Sequence, residues 1–255
     1  MQVSKLGVLF LHGYPLDSRM WDAQVEFLCD KYYIFRPNFS DFQWETIAEL
    51  ADVIAGKVQR TPDGSSQAIP EKWIVCGLSM GGYVAFEFWK RHRELVAGLV
   101  LSNTKATADD EPAKTNRRFV IERAMTEGSE SVTLPMMPKL LSKLSFDTRT
   151  DLIQRVSQMM RETSRDLISR SQQAMIDRND FSDELALIDV PVLAIAGTED
   201  SITPAEQMES MASKIPQSLF KVIRDAGHLA PMENPGEWNE VFSAFVCSSE
   251  HTEKG

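Results

Sequence analysis

The pentapeptide Gly77-Leu78-Ser79-Met80-Gly81 constrains this chain more than any other stretch. Before it lies an apolar run, Lys72 to Cys76 (KWIVC), which reads as a short buried strand. After it, Gly82 onward (GYVAFEFWK) reads as a helix. A chain that passes from strand to helix this abruptly must turn a sharp corner. The corner forces Ser79 into a strained backbone conformation and lifts its hydroxyl clear of the sheet. Bulky side chains two residues to either side would clash there, which gives positions 77 and 81 a steric reason to be glycine. The helix N-terminus behind the hydroxyl favours developing negative charge. On its own, the pattern also fits a glycine-rich turn with a solvated serine. The two readings separate on whether an acid and then a histidine follow the serine.

The chain has four histidines, so the base is found by elimination. His251 lies in a polar tail, Ser248 to Gly255, with the composition of a disordered terminus. His92 sits in Lys90-Arg91-His92-Arg93, where positive charge complements a helix C-terminus. His12 precedes the serine. His228 remains, in Asp225-Ala226-Gly227-His228-Leu229-Ala230-Pro231, after the strand-like run Ser218 to Ile223. That places it on a loop beyond a strand end, where a base for Ser79 is needed.

The acid must orient the histidine and stabilise its charged form. Val190 to Ala196 is the clearest buried strand in the chain, and it runs into Gly197-Thr198-Glu199-Asp200. Glu199 and Asp200 are both candidates, and spacing alone does not separate them. Each also reads as a loop cap or a solvated carboxylate. An oxyanion hole takes two backbone N–H groups. Met80, directly after the serine, offers one. Tyr14 offers the other, in the loop His12-Gly13-Tyr14-Pro15 that follows the short strand Val8 to Leu11.

These blocks resemble the α/β-hydrolase superfamily. They are Leu11 to Pro15 with Met20-Trp21, Gly77 to Gly82, Val190-Pro191 leading to Gly197-Thr198-Glu199-Asp200, and Ala226-Gly227-His228 through Glu233-Asn234-Pro235. They fall in family order and span most of the chain. Within the superfamily the chain is similar to the small esterase, enol-lactonase and cofactor-free haloperoxidase-like branch, through Leu78 to Gly82 and Gln172 to Asp180 (QQAMIDRND). The resemblance implies a catalytic triad of Ser79, Asp200 (in preference to Glu199) and His228. It implies an oxyanion hole from the N–H groups of Tyr14 and Met80. The implied activity is hydrolysis of a small ester or lactone through an acyl-enzyme, with no metal or organic cofactor. C–C bond hydrolysis, perhydrolysis and slow-turnover ligand reception use the same constellation and stay open as alternatives.

Two departures from the family pattern carry consequences. His12 comes too early for the usual N-terminal hairpin, so the expected sheet is all-parallel, with about six strands. After the strand Tyr32 to Phe35, relatives often carry Asp-x-Arg-Gly-x-Gly. Here the chain reads Arg36-Pro37-Asn38-Phe39-Ser40-Asp41-Phe42, whose aromatic residues suggest a different pocket wall.

Composition sets outer bounds. A chain of 255 residues with 43% hydrophobic content suits one α/β domain with an insertion. A net charge of -10 argues against nucleic acid and anionic membrane surfaces as partners, and the small-molecule ester or lactone substrate is what the family resemblance implies. Cys29, Cys76 and Cys247 are odd in number and show no metal spacing, so a reducing, cytoplasmic setting is the simpler reading. The apolar run after Lys5 ends in His-Gly without a cleavage-like site, and no stretch approaches a membrane span.

Strand and helix patterns alternate from Val3 to Leu101. Glu45 to Val58 has apolar residues at helical spacing, and Thr61 to Pro70 reads as a polar surface loop. Gly98 to Leu101 is a further strand, ending at Ser102-Asn103, which read as a polar strand-end cap in preference to a pair that reaches the site. From about Lys105 to Arg178 the strand signal stops, and helices are expected over Asn116 to Thr126, Arg149 to Glu162 and Ser164 to Ile176. This predicts a core of residues 1–104 and 182–255, with a helical cap of 105–181 over the strand ends, where ligands bind in such sheets. Met125, Met136, Met137, Met159, Met160 and Met175 make the cap methionine-rich, which suits helix packing or an apolar pocket. Arg117-Arg118 and the arginines from Arg161 to Arg170 read as solvated helix faces in preference to a clamp for a substrate carboxylate.

Overall fold

A computed structural model describes residues 6–60 and 69–252 of the chain. Most of the predicted polar loop, residues 61–68, lies outside the described residues. Among the described residues six strands form one sheet: β1 (Leu6–Leu11), β2 (Tyr33–Phe35), β3 (Lys72–Leu78), β4 (Val96–Ser102), β5 (Val192–Gly197) and β6 (Ser218–Ile223). Their order is β2-β1-β3-β4-β5-β6, and every neighbouring pair is parallel. The expected all-parallel sheet is present. Helices cover both of its faces, which is why β1 and β5 are unbroken apolar runs rather than alternating ones.

The helices of the sheet layers are α1 (Asp22–Leu28), α2 (Ile47–Val58) and α3 (Met80–Arg91). Between β4 and β5 come α4 (Glu111–Glu127), α5 (Glu130–Thr133), α6 (Met137–Leu140), α7 (Lys143–Thr148), α8 (Thr150–Glu162) and α9 (Arg165–Ile176). The chain closes with α10 (Ala205–Ala212), α11 (Ala230–Glu233) and α12 (Pro235–Thr252). Alternate strand residues point to opposite faces. Leu9, Val75, Leu99 and Ala194 pack against α2, α3 and α10, while Phe10, Cys76, Val100 and Ile195 pack against Trp21, Trp238 and Phe242 on the other face. Burial pushes the Cys76 thiol pKa well above its ordinary range. No described helix is long and apolar enough to cross a membrane.

Two sequence expectations are corrected here, and one stretch gains helices. The tail is helical through Thr252, because Phe242, Phe245 and Val246 fix α12 to the core and a polar continuation extends an existing helix at little cost. Residues 253–255 lie outside the described set. The stretch from Glu130 to Thr148 holds three short helices that periodicity did not announce, since Pro135 and Pro138 break it into pieces too short to show a face. Arg117 is not solvated: it donates to Asp109, which also binds Arg178 (2.8 Å) and Lys105 (3.0 Å), and it donates to Gln172 (2.9 Å). These bonds tie α4, α9 and the end of β4 together. They hold the Asp109 carboxyl far below its usual range even though burial alone would raise it. The methionines of the insertion follow the packing reading: Met137, Met159, Met160 and Met175 are buried and Met125 is exposed.

Candidate active site

The loops at the carboxyl ends of β1, β3, β4, β5 and β6 carry the candidate residues, as an open parallel sheet requires. Among the described residues, three non-glycine positions have positive φ: Ser79 (54°), Asn103 (48°) and Asp225 (54°). All three follow strand ends, and such outliers persist only where surrounding structure enforces them. For Ser79 the enforcement is visible. Its N–H donates to Ser102 O (3.0 Å), while its carbonyl accepts from Gly82 N (2.9 Å) and Thr104 Oγ1 (2.8 Å). A Cβ on Gly77 would run into the Gly81 carbonyl, so the predicted steric reason for glycine holds. Ser79 itself keeps partial exposure.

Asp200 and His228 are joined by a 2.9 Å hydrogen bond between Oδ2 and Nδ1. Asp200 is held from every side. Oδ1 accepts from the N–H groups of Ile202 (2.8 Å) and Thr203 (3.0 Å), and Oδ2 also accepts from Thr203 Oγ1 (2.6 Å) and Asn103 Nδ2 (2.9 Å). Burial alone would raise its pKa, but His228, Thr203 and Asn103 outweigh it and bring the carboxyl to about 2. Glu199 makes no such contact and instead accepts the Lys143 N–H (2.9 Å). Of the two carboxylates that spacing left open, Asp200 is the one in contact with His228. Among the described residues no hydrogen bond joins the Ser79 hydroxyl to His228. Such bonds commonly tighten only when substrate is bound.

His12 is engaged elsewhere. Its Nε2 accepts the Phe39 N–H (3.1 Å), and its Nδ1 faces Gly13 O (3.1 Å). Burial lowers its pKa to about 4. Met80 occupies the first helical position of α3, where an N–H has no intrahelical acceptor. The Tyr14 N–H likewise meets no acceptor among the described residues. The Tyr14 ring reaches away from this loop to pack beside Ala124 of α4 and Ile168 of α9. Its hydroxyl is buried near Gln172 and Arg117 without hydrogen-bond geometry to either, and burial raises its pKa to about 12.

A cleft of about 400 Å³ opens beside the β1 loop, lined by His12, Leu16, Asn38 and Ser40 and by Thr163 and Leu167 of the insertion. The aromatic pocket wall expected from Arg36 to Phe42 is corrected. Phe39 is buried against the His12 ring, with centroids 3.8 Å apart, and it is Asn38 and Ser40 that face the cleft. His92 caps α3 and reaches Asp52 (2.8 Å), away from the strand ends.

Sequence reasoning passed over three residues here and gave a fourth, Asn103, the lesser of its two readings. Asn103 reaches the site, where its amide bridges Asp200 and Gly227 O (3.2 Å). Its positive φ suits asparagine, which is the signal that could have marked it. Thr203, three residues after Asp200, has the spacing of an Asx-type turn. Thr104 had no local signal. Glu233 was quoted only as part of a motif.

The sequence profile of the family described as alpha/beta hydrolase fold matches residues 8–235. The chain belongs to that family, and it is an enzyme of it. A solved thermophilic esterase from Thermogutta terrifontis is 36% identical, with a TM-score of 0.90 over 97% of this chain and 92% of that one. A 3-oxoadipate enol-lactonase from Acinetobacter baylyi is 26% identical over 94% of this chain and 88% of its own length. The enol-lactonase from Burkholderia xenovorans LB400, 19% identical, shares the fold with a TM-score of 0.83 over 97% of this chain and 92% of that one.

Proposed function

We propose that the chain is a serine hydrolase of small esters or lactones, working through Ser79, His228 and Asp200. The observation that carries this reading is the Asp200–His228 hydrogen bond at the same end of the sheet as the strained Ser79 corner. His228 Nε2 takes the proton of Ser79 as Oγ attacks the substrate carbonyl, then returns it to the departing alcohol oxygen. Asp200, ionised at any pH above about 2, holds the Nδ1–H tautomer and stabilises the imidazolium. The N–H groups of Tyr14 and Met80 receive the oxyanion. Water then cleaves the acyl-enzyme by the same route in reverse. Residues 105–181 act as a cap over a core of 1–104 and 182–255, so the cap and the cleft beside it select the substrate. The named activities of the esterase and enol-lactonase relatives support esters and lactones as the substrate class.

Intact mass after incubation with a fluorophosphonate tests the assignment. A single adduct is expected on wild type and none on Ser79→Ala, whose turnover of short-chain esters and lactones falls by orders of magnitude. Equal turnover in the two proteins would overturn it.

A further inference from the structure

Glu233 is a buried carboxylate, 6% exposed, that takes no part in the chemistry above. Its two oxygens accept two backbone amides from different parts of the fold: Oε1 the Gly227 N–H (2.8 Å), and Oε2 the Ser142 N–H (2.7 Å). Gly227 directly precedes His228. Ser142 belongs to the helical insertion, where its own hydroxyl caps α7 by accepting the Ser145 N–H (3.1 Å). The same junction is stitched three more times. Leu229 N donates to Leu140 O (3.1 Å), Ser142 Oγ donates to Asp225 O (3.2 Å), and the Lys143 N–H reaches Glu199 in the acid turn (2.9 Å). There is no slack, because a Cβ on Gly227 would stand 2.6 Å from Ser142 N.

Following the reading of His228 as the base, we propose that Glu233 is its positioning residue. It fixes the peptide before His228 to residues 140–143 of the insertion, so that the insertion sets the geometry of the base. A carboxylate is the one side-chain group that accepts two amides without offering a donor. Gln at this position turns one of the two contacts donor-to-donor. Asp keeps the chemistry with a shorter reach.

The test uses the full chain and two routes to the same contact. The first is Glu233→Gln, with Glu233→Asp as the conservative variant. The second removes the Ser142 N–H and leaves Glu233 intact. Ser142 has φ -61° and Leu141 is extended, so Ser142→Pro suits the backbone while its ring takes the space of the carboxylate oxygen. Ser142→Ala controls for the hydroxyl. Two readouts are taken: the fluorophosphonate labelling rate per folded molecule, and the low-field proton NMR signal of His228 Nδ1–H, identified by its loss in Asp200→Asn. The NMR signal reports the geometry of the base whether or not the protein hydrolyses esters, so failure of the hydrolase reading is distinguishable from failure of this one.

Glu233→Gln and Ser142→Pro are expected to slow labelling about 10- to 100-fold and to shift or broaden the signal, the scale of a small misplacement of a catalytic group. Ser142→Ala and Glu233→Asp should fall between these and wild type. A wild-type signal and labelling rate in both Glu233→Gln and Ser142→Pro, whatever their melting temperatures, would overturn the proposal and leave Glu233 a purely structural residue.

Discussion

The helical insertion meets the sheet along two edges built from different chemistry. On the His228 side, residues Leu140 to Lys143 are fastened through their backbone: one amide goes to the buried carboxylate of Glu233, another to the exposed carboxylate of Glu199, and one carbonyl goes to the Leu229 N–H. On the β1 side the fastening is through side chains. Arg19 pairs with Glu162, whose side chains are 39% and 50% exposed, and Arg155 pairs with Asp22 (2.6 Å), both 43% exposed. The buried bond from Thr163 Oγ1 to Pro15 O (3.0 Å) is the exception there. Exposed ion pairs contribute at most about 1 kcal/mol each and weaken with salt, whereas a buried acceptor stripped of its donors costs about 1–3 kcal/mol. The lesson is that the insertion is joined firmly to the His228 side and loosely to the cleft side.

The sharpest break of that contrast is Asp200→Asn, which removes what the firm edge serves. Turnover should drop about 10⁴-fold with the fold retained, because the neutral amide no longer fixes the His228 tautomer. Pre-steady-state acyl-enzyme formation measures it, and a loss under tenfold would mean that Asp200 does not orient the base.

The two sides should also lose stability in different pH windows. His12, on the cleft side, stays neutral in the fold down to about pH 4, whereas its ordinary pKa is 6.5. Between those values the unfolded chain binds the additional proton, so stability falls as pH drops through the window, by a total on the order of 3 kcal/mol. Urea unfolding of His12→Gln across that range should show a flatter pH slope than wild type. Asp200 has its pKa lowered from 3.8 to about 2, so the stability it confers is complete above pH 3.8 and is lost only as pH falls towards 2.

Gly227→Ala probes the firm edge by crowding rather than deletion. Its Cβ would meet Ser142 N at 2.6 Å and Leu141 C at 2.7 Å, and the His228 loop must shift to make room. We expect roughly a 100-fold loss in kcat with a smaller change in KM, read from steady-state kinetics on a soluble ester. The smallest effect belongs to the loose edge. Arg19→Gln should lower stability by under about 1 kcal/mol, and the difference from wild type should shrink in high salt. A larger, salt-independent loss would erase the contrast between the edges.

How much of this was legible in the sequence follows from where each signal resides. Ser79 and its glycines were legible because the corner is a local event: strand, turn and helix are all encoded within about ten residues of one another. His228 was reached by elimination, and the all-parallel sheet by the early position of His12. The remaining features depend on which strands lie side by side. Asn103 contacts Asp200 because β4 lies next to β5, and nothing in Leu101-Ser102-Asn103 announces that neighbour. Arg117 looked solvated because its partners, Asp109 and Gln172, stand 8 and 55 positions away. Glu233 was hidden for a related reason, since a carboxylate that accepts backbone amides needs no oppositely charged residue that a reader could search for.

Cys76 carries a consequence of a different kind. It lies in the central strand of the sheet, paired in register with Phe10 on one side and Val100 on the other, while Cys29 and Cys247 are exposed. A thiol reagent therefore consumes the two surface sulfurs at once and reaches the third only when the layer of Trp21, Trp238 and Phe242 over that face of the sheet opens. The native chain thus contains its own stopwatch: the slow phase of thiol modification times the opening of the core over the strand that leads into Ser79, with no label introduced and no residue changed.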